Sequence, residues 1–303
     1  MRAIDHNTIT DAALEQMAET PDPRLKQIME GLVKHLHAFA REVDLTPEEW
    51  IQGIGFLTAV GQKCTPFRQE FILLSDTLGF SALINALHDK RALEASTKSS
   101  LLGPFYRQGS PKMNLGDCIV QSPRQQVVIY GQVQDAAGKG IPNARVEIWQ
   151  TDEDGAYDLQ KQDGVAVPEM DMRAEFQADG EGKYYLRTVV PLGYMIPMDG
   201  PVGTMILAQK RHGYRPSHIH FMIGAPGYRE LATALYTRGD DHLESDTVFG
   251  VTDSLVIDVN QNDPNAPIQG MPAIRYNFQL AHEANIGSGR VGADPAQITK
   301  VGG

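Results

Sequence analysis

The chain has 303 residues, 42% hydrophobic and 21% charged, enough to bury roughly three quarters of the surface an unfolded chain of this size exposes, which excludes a disordered polymer. Its formal net charge of -11 opposes nucleic-acid phosphates and anionic headgroups, and no stretch reaches the roughly 20 apolar residues of a bilayer span. Neither a nucleic acid nor a membrane is an expected partner. The opening MRAIDHNTIT lacks a basic segment followed by an apolar one, so the expected location is the cytoplasm. Cys64 and Cys118 are too few for a disulfide framework and read as buried thiols.

Punctuation changes near residue 100. Five glycines and four prolines fall in residues 1–100, against 24 and 14 in the rest, which predicts helices first and strands afterwards. Leu25, Ile28, Leu32, Leu36, Phe39 and Val43 recur at three- and four-residue steps, the stripe of an amphipathic helix. A second helix opens where Thr46 can cap, Pro47 suits the first helical position and Glu49 completes a capping box. Thr65 with Pro66 repeats the device ahead of a run over 67–87 carrying more apolar surface than one stripe needs. That run is expected to face both the second domain and a partner.

Beyond Phe105 the period becomes two, over 127–133, 145–149, 184–189, 218–223, 255–259 and 274–280, with Gly, Pro, Asn and Asp between the runs. Short strands separated by turns predict an antiparallel sandwich or barrel, hence an α+β chain with a helical part over 1–104 and a sheet part over 105–303. Residues 287–303, rich in small side chains, are expected to be irregular and partly exposed.

The segment Arg215-Pro216-Ser217-His218-Ile219-His220 carries the most chemistry. In a strand, His218 and His220 share one face, with alpha carbons about 7 Å apart, while Ile219 points to the other. Two readings stand: a pair of metal-binding imidazoles suited to iron, zinc, copper or nickel, or two hydrogen-bonded histidines. Tyr157 and Tyr194 each sit in a loop beside glycine just past a strand end, where an amphipathic rim tyrosine is equally at home. Leu101, Leu102, Gly103 and Phe105 form either a stiff interdomain turn or an apolar pocket wall. Arg215 either stabilises a developing anion or pairs with one of the many carboxylates.

Together these segments resemble the intradiol ring-cleaving dioxygenases. The resemblance covers most of the chain and rests on Leu102-Gly103-Pro104-Phe105-Tyr106, on Gly155-Ala156-Tyr157, on Asp199-Gly200-Pro201, and above all on Arg215 to His220 with Tyr194 standing 24 residues before His218. It implies a non-haem Fe(III) held by Tyr157, Tyr194, His218 and His220, with O2 and a catecholic molecule as substrates. It further implies that Tyr194 leaves as the substrate binds and carries off a proton, and that Arg215 stabilises the electron-rich ring. Within the family, Trp149-Gln150-Thr151-Asp152, the run from Met195 to Gly203 and the run from Ser245 to Val251 look like the hydroxyquinol branch. Ala234 stands where the catechol branch usually carries glutamine, a space that chlorocatechol enzymes also vary.

The same resemblance places Leu73, Asp76, Leu101, Leu102, Gly103, Phe105, Ile196, Pro197, Arg215 and Val248 around the substrate. Asp76 is the candidate to hydrogen-bond a third ring hydroxyl; its other reading is a helix-surface carboxylate. The helical part then becomes a homodimerisation domain around a tunnel able to hold phospholipid tails, and the sheet part a β-sandwich catalytic domain. Three other functions remain open: a catechol or chlorocatechol dioxygenase, a prealbumin-like carrier, and a zinc hydrolase built on the same histidines.

Overall fold

The computed structural model describes residues 4–65, 68–92, 95–120, 125–152, 154–160 and 169–285. The expected irregular tail at 287–303 and the proposed capping residue Pro66 lie outside these. The chain forms two compact units, Met1–Ala59 and Val60–Gly303.

The first unit holds α1 (Ile9–Glu15), α2 (Pro23–Glu42) and most of α3 (Pro47–Lys63). Asp22 caps α2 by accepting from the backbone N–H of Arg24 and Leu25, with Pro23 in the first turn. The capping box at α3 is formed: Glu49 accepts from the Thr46 N–H at 2.9 Å, and Thr46 accepts from the Glu49 N–H at 3.2 Å. α1, about two turns long, is too short to leave a periodic signal. It is tied to α2 by Arg41, which donates to the Thr10 hydroxyl and the His6 carbonyl at 2.8 Å each.

In the second unit the run over 67–87 differs from its sequence reading. Thr65 and Arg68 exchange two backbone hydrogen bonds, closing a turn with the groups that a helix start at Thr65 would need. Helix α4 therefore begins later (Glu70–Thr77), and α5 (Phe80–Asp89) follows at an angle of 72°. The break is at Gly79, whose φ of +72° is a left-handed conformation that costs glycine little. Among the described residues no single helix is long and apolar enough to cross a membrane. Both cysteines are free thiols, as expected, but they are only partly buried where buried ones were expected.

The strands are β1 (Gln126–Gln134), β2 (Arg145–Gln150), β3 (Arg173–Gln177), β4 (Lys183–Val189), β5 (Tyr194–Met195), β6 (Tyr214–Arg215), β7 (His218–Gly224), β8 (Leu231–Thr237), β9 (Val256–Ile257), β10 (Ala273–Arg275) and β11 (Phe278–Gln279), with α6 (Pro201–Ala208) after β5. One sheet runs β3-β2-β7-β8-β9, a second has β1 at its centre, flanked by β4, β10 and β11, and β5 pairs with β6 in a two-stranded third. The expectation of a purely antiparallel sandwich is corrected here, because β10 and β11 pair parallel to β1 and β9 parallel to β8. The chain crosses over after β9 and re-enters alongside β1 in the same direction. The single strand expected over 274–280 is split at Tyr276 and Asn277. There the backbone comes so close to β1 that a side chain at Gly131 would lie 1.6 Å from the Tyr276 carbonyl.

Val127, Ile129 and Leu186 from one sheet meet Val146, Ile148, Phe176, Ile219 and Phe221 from the other in one core. Each such side chain contributes roughly 1.5–3 kcal/mol on burial. Strand alternation does the rest: β7 spends Ile219, Phe221 and Ile223 on that core and turns His218 and His220 to its opposite face.

Candidate metal centre

Four separate segments deliver the site. Beyond β2, Asp152 accepts from the N–H groups of Asp154 and Ala156 at 2.9 Å each, and Gly155 turns at φ +81°, so the loop folds back and sends Tyr157 inward. Asp158, next in sequence, is locked by Arg107 at 2.7 Å and by the Nε–Nη2 edge of the buried Arg173 side chain. β5 and β6 place Tyr194 directly opposite Arg215. Gly193 permits that pairing, since a side chain there would lie 2.7 Å from the Arg215 carbonyl. β7 supplies the two histidines.

These side chains converge. The rings of Tyr157 and Tyr194 are 5.7 Å apart, those of Tyr194 and His218 5.6 Å, and those of His218 and His220 4.8 Å. The Tyr157 hydroxyl lies 3.4 Å from His218 Nε2. All four are buried, between 0% and 7% exposed. Burial, aided by the neighbouring Tyr194, pushes the Tyr157 phenol well above its ordinary value. It pushes Tyr194 up as well, with Arg215 opposing. Burial and the Arg215 charge hold His218 well below the usual imidazole value, and burial with His218 beside it does the same for His220. These surroundings by themselves favour neutral phenols and neutral imidazoles.

The tautomer of His218 follows from its partner. Nδ1 lies 2.6 Å from the Pro216 carbonyl, which can only accept, so Nδ1 carries the proton and the Nε2 lone pair faces the site. His220 is held flat against Trp149 with ring centroids 4.9 Å apart and planes within 1°. Its Nδ1 is buried without a regular hydrogen bond, although the Leu101 backbone nearby favours its protonated form. Two oxygen donors that would become anionic when a metal cation displaces their protons to solvent, beside two neutral nitrogen donors, suit a hard trivalent metal. Among the described residues no group of three or more His, Cys, Asp or Glu side chains is placed to hold a metal. That leaves the zinc-hydrolase reading without its third ligand.

The expected pocket residues divide by contact. Phe105 stacks on Tyr157 at 4.5 Å and meets Tyr194 edge-on at 6.4 Å. Gly103, at φ +74°, leaves the His220 ring uncovered, because a side chain there would sit 3.6 Å from its Nε2. Leu73, Leu101, Ile196 and Val248 are buried, whereas Leu102 and Pro197 are half-buried. Asp76 is buried on α4, not a surface carboxylate, and interacts electrostatically with Arg215 and Asp246. Ala234 stands directly across the sheet from His220.

Arg215 pairs with a carboxylate, the second of its two sequence readings. Its Nε donates to Asp246 Oδ1 at 3.2 Å and its Nη2 to Oδ2 at 3.4 Å, while Nη1 lies 3.0 Å from His218 Nε2. Sequence reasoning missed Asp246, Tyr236 and the stacking role of Trp149. Alternation from His218 and His220 could have found Trp149 and Tyr236, which are their cross-strand partners. Asp246 arrives on a loop that no spacing rule reaches.

Comparison with known proteins follows the same lines. A family model described as dioxygenase matches residues 103–282, and one described as catechol dioxygenase N terminus matches residues 22–96. The chain is 45% identical to a 6-chlorohydroxyquinol 1,2-dioxygenase of Cupriavidus pinatubonensis over 87% of its own length and 95% of that protein. It is 44% identical to a hydroxyquinol 1,2-dioxygenase of Rhodococcus opacus over 86% and 85%. The solved structure of a hydroxyquinol 1,2-dioxygenase from Pseudomonas putida superposes with a TM-score of 0.82 at 41% identity, covering 92% of this chain and 99% of that one.

Proposed function

The chain belongs to the intradiol ring-cleaving dioxygenases, and on that footing we propose that it cleaves hydroxyquinol (benzene-1,2,4-triol) with O2 at one non-haem Fe(III). The product is 3-hydroxy-cis,cis-muconate, the enol form of maleylacetate, in the catabolism of aromatic compounds. The observation that carries this reading is the convergence of two buried phenols and two buried neutral imidazoles beside a fixed guanidinium. The names of the relatives, hydroxyquinol and chlorohydroxyquinol dioxygenases, support the substrate.

Tyr157, Tyr194, His218 and His220 hold the metal. Ferric iron bound there would supply the Lewis acidity that a chelating catecholate needs to become reactive toward dioxygen. Tyr194 Oη, on the first residue of the two-residue strand β5, would take one phenolic proton of the substrate. Arg215 Nη1 stabilises negative charge that grows on the ring only along the way to the transition state. Phe105, packed on Tyr157, keeps water from that face. Asp76, buried yet ionised above a pKa of about 6, accepts from the third ring hydroxyl, so an analogue lacking that group leaves a buried carboxylate without a partner. Oxygen-uptake assays across hydroxyquinol, catechol and 4-chlorocatechol test the reading. A kcat/KM for hydroxyquinol at least about tenfold above that for catechol is expected; equal values would move the chain to the catechol branch.

Residues 1–104 serve mainly dimerisation and 105–303 mainly catalysis. On α2, Leu25, Ile28, Leu32, Leu36, Phe39 and Val43 are each 49–58% exposed on one helix stripe, a face suited to a second copy of the chain and to phospholipid tails. The Leu36→Glu variant is expected to elute as a monomer where the parent elutes as a dimer. The two free thiols fit a reducing compartment such as the cytoplasm.

A further inference from the structure

We infer that Asp246 is the positioning residue that aims Arg215 at the reacting ring; this rests on the role given to Arg215 above. A guanidinium has two usable edges. Asp246 takes the Nε–Nη2 edge side-on, at 3.2 and 3.4 Å, which fixes the plane of the group and leaves Nη1 as the corner turned toward His218 and the site. The pair is buried, with both side chains at most 3% exposed, so solvent does not compete for it.

The carboxylate is itself immobilised. Oδ1 also accepts from the Val248 N–H at 3.3 Å and Oδ2 from the Gly250 N–H at 3.0 Å, so each oxygen receives two donors. The loop carrying them is tied down on both sides: the Thr247 N–H donates to the Tyr214 carbonyl at 3.2 Å, and Arg211 donates to the Thr247 carbonyl at 2.8 Å. Gly250 leaves room for the junction, since a side chain there would meet the Tyr236 hydroxyl at 2.5 Å and Arg215 Nη2 at 3.1 Å. Ser100 closes the ring of contacts by bonding both the Tyr236 hydroxyl and the Gly250 carbonyl.

A second carboxylate, Asp76, lies within electrostatic range of the same guanidinium without bonding it. Removing the charge of Asp246 therefore frees Arg215 to turn toward Asp76, away from its working direction. Preorganisation is lost while the cation remains.

The test compares Asp246→Asn, Asp246→Glu, Arg215→Ala and the Arg215→Ala/Asp246→Asn double variant as iron-loaded enzymes. Both Asp246 variants are expected to keep iron and visible colour yet lose kcat by about tenfold to hundredfold, with KM moving less. The double variant should be no slower than Arg215→Ala alone, because Asp246 acts only through Arg215. Added guanidinium ion should restore turnover to Arg215→Ala and not to the double variant. In the iron-free protein, the Arg215 Nε proton should exchange slowly by NMR and become fast in Asp246→Asn. Either Asp246 variant folding with near-parental kcat while Arg215→Ala is impaired would overturn the proposal alone, as would additive losses in the double variant. Parental turnover in Arg215→Ala would overturn the role of Arg215 itself.

Discussion

The two compact units arrange polarity in opposite ways. In Met1–Ala59, helix α2 points Leu32 and Leu36 outward at 54% and 58% exposure, whereas in Val60–Gly303 the groups kept from water include Arg215, His218 and His220 at 2–3%. The first unit thus leaves a continuous apolar stripe on α2 exposed. Polar burial in the second gathers groups that hold one another in place, Arg215 paired with Asp246 and His218 with its Nδ1 on the Pro216 carbonyl. A fold that buries such groups uses stability from its apolar core, here the Phe221 and Phe176 layer, to hold them in place.

Changes at the buried cradle should have the largest effect. His220→Ala and Tyr157→Phe are expected to lose both iron and turnover, measured by metal analysis of purified protein, while Arg215→Ala keeps iron and loses roughly a hundredfold or more in kcat. The core that supports the cradle comes next. Phe221→Ala, fully buried, should lower unfolding free energy by about 3–5 kcal/mol in denaturant titration. Leu36→Ala, on the exposed face, should cost the isolated chain less than about 1 kcal/mol, so equal losses would erase the contrast between the units.

A smaller effect concerns Asp76, whose carboxyl burial pushes up to about 6 from 3.8, with Ser81 and Arg215 opposing. A raised carboxyl favours the protonated folded state. Its contribution to stability is therefore lost as pH rises from about 4 through 6, by about 3 kcal/mol at most, and is flat above that. Asp76→Asn should remove this fall from the pH profile of stability while weakening preference for hydroxyquinol. The smallest change is expected at the α3 cap, where Thr46→Ala should cost about 1 kcal/mol in thermal unfolding.

What the sequence disclosed depended on the range of the interaction. The Thr46–Glu49 cap and the alternation of β7 are local, and both are found as expected. The strands β3 and β8 lie outside the predicted runs: β3 opens on Arg173, a charged residue buried by its pairing with Asp158, and β8 carries the small residues Ala232, Thr233 and Ala234. Parallel pairing of β10 with β1 depends on a crossover that no local pattern encodes. At the site, spacing alone reached only the shared face of His218 and His220, the resemblance added Tyr157 and Tyr194, and the fold brings the four side chains together. Asp246 escaped because it lies 31 residues from Arg215, on a loop whose shape is set by its own backbone donors.

The most direct measurement is the iron content and visible absorption of the purified protein. One iron per chain with a red-brown tyrosinate-to-iron band, lost in Tyr157→Phe, is the expected result. A folded protein that stays colourless and takes up no iron when Fe(III) is offered would contradict the account.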